Sequence, residues 1–318
     1  MDIKINLENN PNILNEFLLY LMNVKNYSIR TIQEYKLDLK IFLKFILIYK
    51  EINIEFKEIT IFTILQINHE DILAFLVYMN YKKNNCSSTR NRRIASIKSF
   101  FKWLYVQNPA IKKENPAINI HKATCHYRLP KYLTLEEAKK IQNIFNENNS
   151  KNYIRNNCII HLFLSTGIRL SELINIDIAN IDFDNKTIRV WGKGNKQRTV
   201  CISEYCKNML LEYLNTRKID NNLNQPLFIS SQNKRISKSS IEYICQKAYK
   251  LMGLEDKEYT VHTLRHTAAT IVYRHANNDI LVVKEFLGHT SLVATEIYTH
   301  IHNNDLKEAM ERHPLNIS

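Results

Sequence analysis

Glycine is scarce in this chain, five residues in 318, and the six cysteines form no C-x-x-C pair. Scattered as Cys86, Cys125, Cys158, Cys201, Cys206 and Cys245, the thiols make neither a disulfide framework nor a paired zinc site, and they read as reduced side chains of a cytoplasmic protein. His121, Cys125 and His126 lie close together, yet a fourth ligand at usable spacing is missing, so no metal is expected there. No apolar run approaches the ~18 residues of a membrane span. The opening MDIKINLENN has neither the basic n-region nor the apolar h-region of a secretory leader. Internal repeats and low-complexity tracts are also missing.

Acidic residues are the minority. Lysine and arginine number 44 against 31 acids, a formal charge of +13, and an excess of that size suits a partner that is a polyanion, nucleic acid first. Apolar residues at 45% and charged residues at 24% describe a globular chain rather than a disordered one. The length allows two domains, each with its own core.

Three of the six prolines, Pro109, Pro116 and Pro130, cluster in one stretch. Helices resist proline, so this stretch predicts an extended connection. The expected division is a helical DNA-binding domain over 1–112, a linker over 113–130 and a second domain over 131–318. In the first, Ser28 caps a helix whose apolar stripe is Ile32, Tyr35, Leu39, Phe42, Leu43 and Ile46. Arg30, Lys36, Lys40 and Lys44 stand off that stripe. A second helix starting at Ser87 or Ser88 buries Ile94, Ile97, Phe101 and Leu104 and carries Arg90, Arg92, Arg93, Lys98 and Lys102. A basic helix face is ordinarily just a solvated one. Two of them in one small domain of a +13 protein point to contact with a DNA backbone.

Past the prolines the pattern mixes. Thr134 and Glu137 form a capping box, and "NCIIHLFLSTGIRLSELINI" is a buried helix interrupted at Thr166-Gly167. "IDFDNKTIRVWGKGNKQRTVCIS" then switches to period-two alternation with turn signals at Asp184-Asn185 and Gly192 to Asn195, a small three-stranded antiparallel sheet. Helices return from about Ser237. The fold class expected is mostly α with a small antiparallel β-sheet, a helical domain followed by a mixed α+β one.

Four of the five glycines, Gly167, Gly192, Gly194 and Gly288, fall beside basic or histidine residues at loop positions, where backbone can approach a ligand closely. Their neighbours are Arg169 in "TGIRLSEL", Lys193 in "GKGNKQR" and His289 in "LGHTS", while "HTLRH" adds His262 and Arg265. Cleaving a phosphodiester places extra negative charge on the non-bridging oxygens, which two arginines can clamp. An in-line nucleophile is needed, and a tyrosine such as Tyr298 retains the bond energy in a phosphotyrosine. The leaving oxygen needs a proton, which a lysine on a hairpin turn can deliver. Histidines, with pKa values near neutrality, can assist the nucleophile and donate to the phosphate. Taken singly, Tyr298 reads as core packing, His289 as a buried histidine, and "LGHTSLVATEIYTH" as a helix-turn-helix. The conjunction separates these readings.

That conjunction resembles the tyrosine recombinase family, the lambda-integrase and Xer class. "TGIRLSEL", "GKGNKQR", "HTLRH", "LGHTSLVATEIYTH" and the trailing His313-Pro314 match its motifs in order, and the two basic helices look like its core-binding domain. The resemblance implies a catalytic set of Arg169, Lys193, His262, Arg265 and His289 with Tyr298 as nucleophile, and Glu172 as a carboxylate that orients the site. It implies a site-specific recombinase acting through a 3′-phosphotyrosine, without ATP, metal or other cofactor. The partner is a double-stranded recombination site, bound by a homo-tetramer or a hetero-tetramer with a related recombinase. Between Arg265 and His289 the chain is one residue longer than typical Xer proteins, with Asn277-Asn278 where a glycine turn is common. That leaves catalysis intact but weakens assignment to the chromosome-dimer-resolving branch over mobile-element integrases. Rival readings are a type IB topoisomerase, which shares the chemistry without joining two duplexes, and a non-catalytic helix-turn-helix regulator, which has no use for Arg169 and Lys193 together.

Overall fold

A computed structural model describes residues 9–81, 87–124, 130–192, 197–217, 224–277, 279–288, 295 and 298. The chain divides into two compact units, Met1–Tyr127 and Arg128–Ser318. It is mostly α-helical with one small sheet. Among the described residues no helix is long and apolar enough to cross a membrane.

In the first unit the helices are α1 (Asn12–Asn23), α2 (Ile29–Tyr49), α3 (Ile61–Leu65), α4 (His69–Tyr81) and α5 (Ser87–Gln107). Ser28 Oγ accepts from the Thr31 amide at 3.3 Å and so starts α2. The α2 stripe of Ile32, Leu39, Phe42, Leu43 and Ile46 is buried, as are Ile94, Ile97, Phe101 and Leu104 of α5. Aromatic edges hold the layers together, with Phe17 against Phe100 and Phe42 against Phe75 at centroid distances of 5.3 and 5.1 Å.

One charged residue of α2 points inward. Asp38 is fully buried, and its Oδ2 accepts from Arg92 Nη1 at 2.7 Å and from Ser96 Oγ at 2.9 Å. Arg93 Nε stands 3.5 Å from Oδ1. Burial raises the Asp38 pKa, and Ser96 and the two arginines only partly offset it. Arg92 also pairs with Glu34 at 2.8 Å. These two arginines, read from sequence as facing DNA, therefore tie α5 to α2 in the free chain.

The proline-bearing stretch is docked for much of its length. Ala117 and Ile120 are buried in the first unit's core, and Lys98 Nζ donates to the carbonyls of Ile118 and Ile120 at 3.0 and 2.9 Å. Proline breaks the helix after α5, but apolar side chains in the segment still seek the core. Cys125 and His126 lie outside the described residues.

The second unit opens with α6 (Leu135–Ile141), where Thr134 Oγ1 accepts from the Glu137 amide and Glu137 Oε2 accepts from the Thr134 amide. At its centre α7 (Tyr153–Thr166) is buried on nearly every side. It packs against α9 (Glu204–Asn215) and α11 (Val261–His275). Gly167 ends α7 in the left-handed region, φ 56°, and α8 (Leu170–Ile174) follows at once. Strands β1 (Ile181–Asp182), β2 (Thr187–Trp191) and β3 (Gln197–Cys201) pair antiparallel in sequence order. Ile188 of β2 faces Val200 of β3 in the register, and both are buried. Helices α10 (Lys238–Leu251) and α12 (Ile280–Leu287) complete the described part. Asn277 takes the left-handed conformation, φ 51°, which asparagine tolerates better than other side chains. It does there what a glycine turn would do.

Removing the Asp38 carboxylate strands Arg93, whose side chain is only 12% exposed, whereas Arg92 at 37% reaches water. Asp38→Ala should lower unfolding stability by about 3 kcal/mol, the lower end for breaking a buried pair. Guanidinium denaturation of the full chain checks this, and an unchanged midpoint would show that the cluster contributes nothing.

Candidate active site

The C-terminal end of α12 is the meeting point of the site. A helix leaves its last carbonyls without intrahelical partners, and they carry the negative end of the dipole. Here three guanidiniums take them. Arg198 Nη1 donates to the Phe286 carbonyl at 3.2 Å, Arg265 Nη2 to Leu287 at 2.8 Å and Arg169 Nη2 to Gly288 at 3.4 Å. Arg265 Nη1 also donates to the Gly167 carbonyl.

Each arginine arrives on a different element. Arg169 is the N-cap residue of α8, Arg198 lies on β3 and Arg265 one turn into α11. Glu172, in the first turn of α8, binds two of them. Its Oε1 accepts from Arg169 Nη1 at 2.8 Å, and its Oε2 accepts from Arg198 Nη2 and from the Arg169 amide, both at 2.9 Å. The carboxylate is wholly buried. Burial alone would raise its pKa, but the hydrogen bonds from Arg198 and Arg169 outweigh burial and hold it below the ordinary 4.5.

Close approach requires the two glycines. A Cβ on Gly167 would lie 2.8 Å from Phe286 Cε1, and one on Gly288 would lie 2.7 Å from Arg198 Cδ. Both residues also have positive φ, 56° and 60°. Side chains at either position would push α12 away from the arginines.

Arg265 is 7% exposed. Burial, then repulsion from Arg169 and Arg198, bring its pKa down to about 10, and Glu172 opposes the fall. It remains a cation at neutral pH. Tyr298 is 1% exposed and packs with Ala269 and Tyr273 of α11 and Val283 and Leu287 of α12. Its amide donates to the Thr295 carbonyl at 3.0 Å. Burial raises its phenol to about 12 despite the Arg265 charge. The hydroxyl lies 2.8 Å from Nδ1 of His266.

Of the residues expected from sequence, Arg169, Glu172 and Arg265 thus form one cluster, and the Arg265 charge acts on Tyr298. His262 is exposed on the first turn of α11. Lys193 and His289 lie outside the described residues, flanked by Gly192 and Gly288 that are described. Sequence reasoning missed Arg198 and His266. The first had a signal, since Arg198 shares with Val200 the inward parity of β3, and a charged residue on an apolar face needs a partner. His266 had no such signal, since a histidine beside an arginine is unremarkable until Tyr298, 32 residues on, is seen against it. Of the basic residues expected from sequence to meet DNA, Arg30, Lys44 and Lys102 are exposed. Lys40 and Lys44 approach the Phe56 ring at 5.9 and 5.8 Å, and Lys36 is half-buried. Arg90 donates to Ser87 Oγ at 3.3 Å.

The chain is similar to known proteins along most of its length. The Phage integrase family profile matches residues 131–305, and the phage integrase N-terminal SAM-like domain matches residues 14–108. Tyrosine recombinase XerC of Caldanaerobacter subterraneus subsp. tengcongensis is 38% identical over 316 residues, 96% of this chain and 87% of the relative. Tyrosine recombinase XerD of Rickettsia conorii is 30% identical over 315 residues, 95% of this chain and 98% of the relative. Among solved structures the XerA recombinase has a TM-score of 0.51 at 30% identity, over 95% of this chain and 98% of that one. The XerH recombinase bound to palindromic difH substrate has a TM-score of 0.71 at 23% identity, over 94% of this chain and 84% of that one, a likeness of fold.

Since the folded pKa of Glu172 lies below its ordinary 4.5, its contribution to stability is complete above that value and is lost as pH falls through the folded pKa. Glu172→Gln removes the buried charge between two arginines and should cost about 3–5 kcal/mol at neutral pH. The variant should also lose less stability than wild type between neutrality and about pH 3. Thermal unfolding across that range is the measurement, and parallel curves would refute the charge role.

Proposed function

This chain belongs to the phage integrase family and is a tyrosine recombinase, an enzyme that cleaves and rejoins DNA, and on that premise we propose how its residues divide the reaction. Arg169 and Arg265 take the non-bridging oxygens of the scissile phosphodiester. Tyr298 attacks phosphorus, so that the Oη–P bond forms as the P–O5′ bond breaks, leaving a 3′-phosphotyrosine. Lys193 gives the departing 5′ oxygen its proton. His262 and His289 assist at the phosphate and the nucleophile, and Glu172 orients Arg169. Rejoining reverses each step, so the number of phosphodiesters is unchanged and no ATP is consumed.

The observation that carries this reading is the convergence of Arg169 and Arg265 on one helix end while Tyr298 inserts against α11 within the field of Arg265. Arginine pairs suit this work because each fork presents several fixed donors to a tetrahedral anion. A double-stranded recombination site is the substrate. Exchange of strands between two duplexes needs four active sites, so the assembly on DNA is a tetramer, of this chain alone or with a related recombinase. Relatives named XerC and XerD favour an Xer-type role over that of a mobile-element integrase.

Tyr298→Phe should bind DNA with unchanged affinity, because the ring still fills its apolar pocket, and should form no covalent adduct on a nicked substrate. Lys193→Ala should cleave ordinary DNA slower by ~10²–10⁴-fold. A bridging 5′ sulfur should restore most of that rate, since a thiolate leaves without a proton. Arg169→Ala should gain nothing from the sulfur. Equal rescue of both variants would remove Lys193 from the role of general acid.

Basic residues of the first unit are read as contacts to the DNA backbone. Lys44→Ala and Lys102→Ala, at exposed positions, should each weaken binding across sequences and lower the salt slope by about one. Gel-shift titration at several salt concentrations measures this, and an unaltered slope in both variants would reject those contacts.

A further inference from the structure

His266 is absent from the catalytic set described above, yet it is the one side chain bonded to the nucleophilic hydroxyl among the described residues. It follows Arg265 on α11, and its ring lies against the Tyr298 ring, which the apolar cluster of α11 and α12 holds. The two rings are tilted at 51° with centroids 5.8 Å apart, and Nδ1 lies 2.8 Å from the phenolic oxygen.

We propose that His266 is a further catalytic residue of the cleavage step, whose Nδ1 accepts the hydrogen bond of the Tyr298 hydroxyl, aims the oxygen and takes its proton as the oxygen bonds to phosphorus. The proposal rests on Tyr298 being the nucleophile. The balance is complete within the site. Oη–P forms, Oη–H breaks and the proton passes to Nδ1. P–O5′ breaks, and the 5′ oxygen receives a proton from Lys193. Rejoining returns the proton from imidazolium to phenol.

The surroundings explain why this transfer waits for DNA. Burial, then the charges of His262 and Arg265, lower His266 to about 4, while burial raises Tyr298 to about 12. In the free chain the proton therefore stays on the phenol. A phosphodiester anion seated on Arg169 and Arg265 offsets the positive field that suppresses the imidazole. The emerging Oη–P bond drains electron density from the phenol and makes its proton easier to lose. The acceptor gains basicity only when there is a phosphate to attack.

The test measures covalent adduct formation on suicide DNA with a bridging 5′ sulfur, so that protonation of the leaving group does not enter. His266→Phe keeps a ring in the cavity and should bind DNA normally while forming adduct at least about 100-fold slower, the lower bound for a lost general base. His266→Asn sets an amide where Nδ1 was and should recover part of that rate. His266→Gln, whose amide reaches toward the Nε2 position, should recover less. A His266→Phe rate near wild type overturns the proposal, and so does His266→Gln equal to or better than His266→Asn. That comparison decides the matter even if the phenylalanine variant fails to fold. Adduct from Tyr298→Phe on the same DNA would instead overturn the assignment of the nucleophile, leaving the two failures distinct.

Discussion

The second unit is organised around the carbonyls that one helix end leaves without intrahelical partners. Phe286, Leu287 and Gly288 close α12 and would face one another as bare acceptors, and Arg198, Arg265 and Arg169 satisfy them one by one. This arrangement fixes the arginines as firmly as it caps the helix. A guanidinium has five N–H groups in a rigid fork, so donation to a carbonyl orients the remaining donors without exhausting them. The repulsion among three nearby cations is moderated by the single buried carboxylate of Glu172. Among the described residues of the cluster, one negative charge stands with three positive ones, a local excess that suits the phosphodiester proposed for it. A second carboxylate would improve the cluster as a structural element and weaken it as an anion site.

Steric constraint follows from the same meeting point. The turn after α7 and the turn after α12 must come within van der Waals distance of side chains from other elements, and both carry glycine at positive φ. The scarcity of glycine in the chain makes sense here, because helices and short strands need none, while these two turns admit nothing larger.

Much of this was legible in the sequence, for identifiable reasons. The stripes of α2 and α5, the Ser28 cap, the Thr134 capping box, the break at Gly167 and the three-stranded sheet are local patterns, readable from period and turn chemistry. Arg169, Glu172 and Arg265 were found because their motifs matched a family in order, and the structure brings them together. Other features lie in partnerships between distant residues. Asp38 sits among lysines on a helix that reads as basic, and only the packing of α5 onto α2 shows that it faces inward to Arg92 and Arg93. His266 cannot be told from any histidine beside an arginine until Tyr298, far along the chain, is placed against it. Ala117 and Ile120 are too few to make a periodic pattern, so a proline-rich segment that docks reads like one that does not.

Charge counting meets the same boundary. A net +13 points to a polyanion, but it does not say which cations are available to it. In the first unit Arg92 and Arg93 answer to Asp38, and Lys98 answers to two backbone carbonyls. Lys44 and Lys102 remain exposed. In the second unit the distinction reverses in sense, since the arginines most occupied with internal contacts include the two proposed to hold the phosphate. An exposed lysine contributes to binding through mobility and counterion release, where loose geometry costs little. Charge developing on a phosphoryl oxygen in a transition state is stabilised by donors that need not reorganise as it forms. Arg265, 7% exposed with its fork bonded to Gly167 and Leu287, suits the role proposed for it because the fold, and not the substrate, has already oriented it.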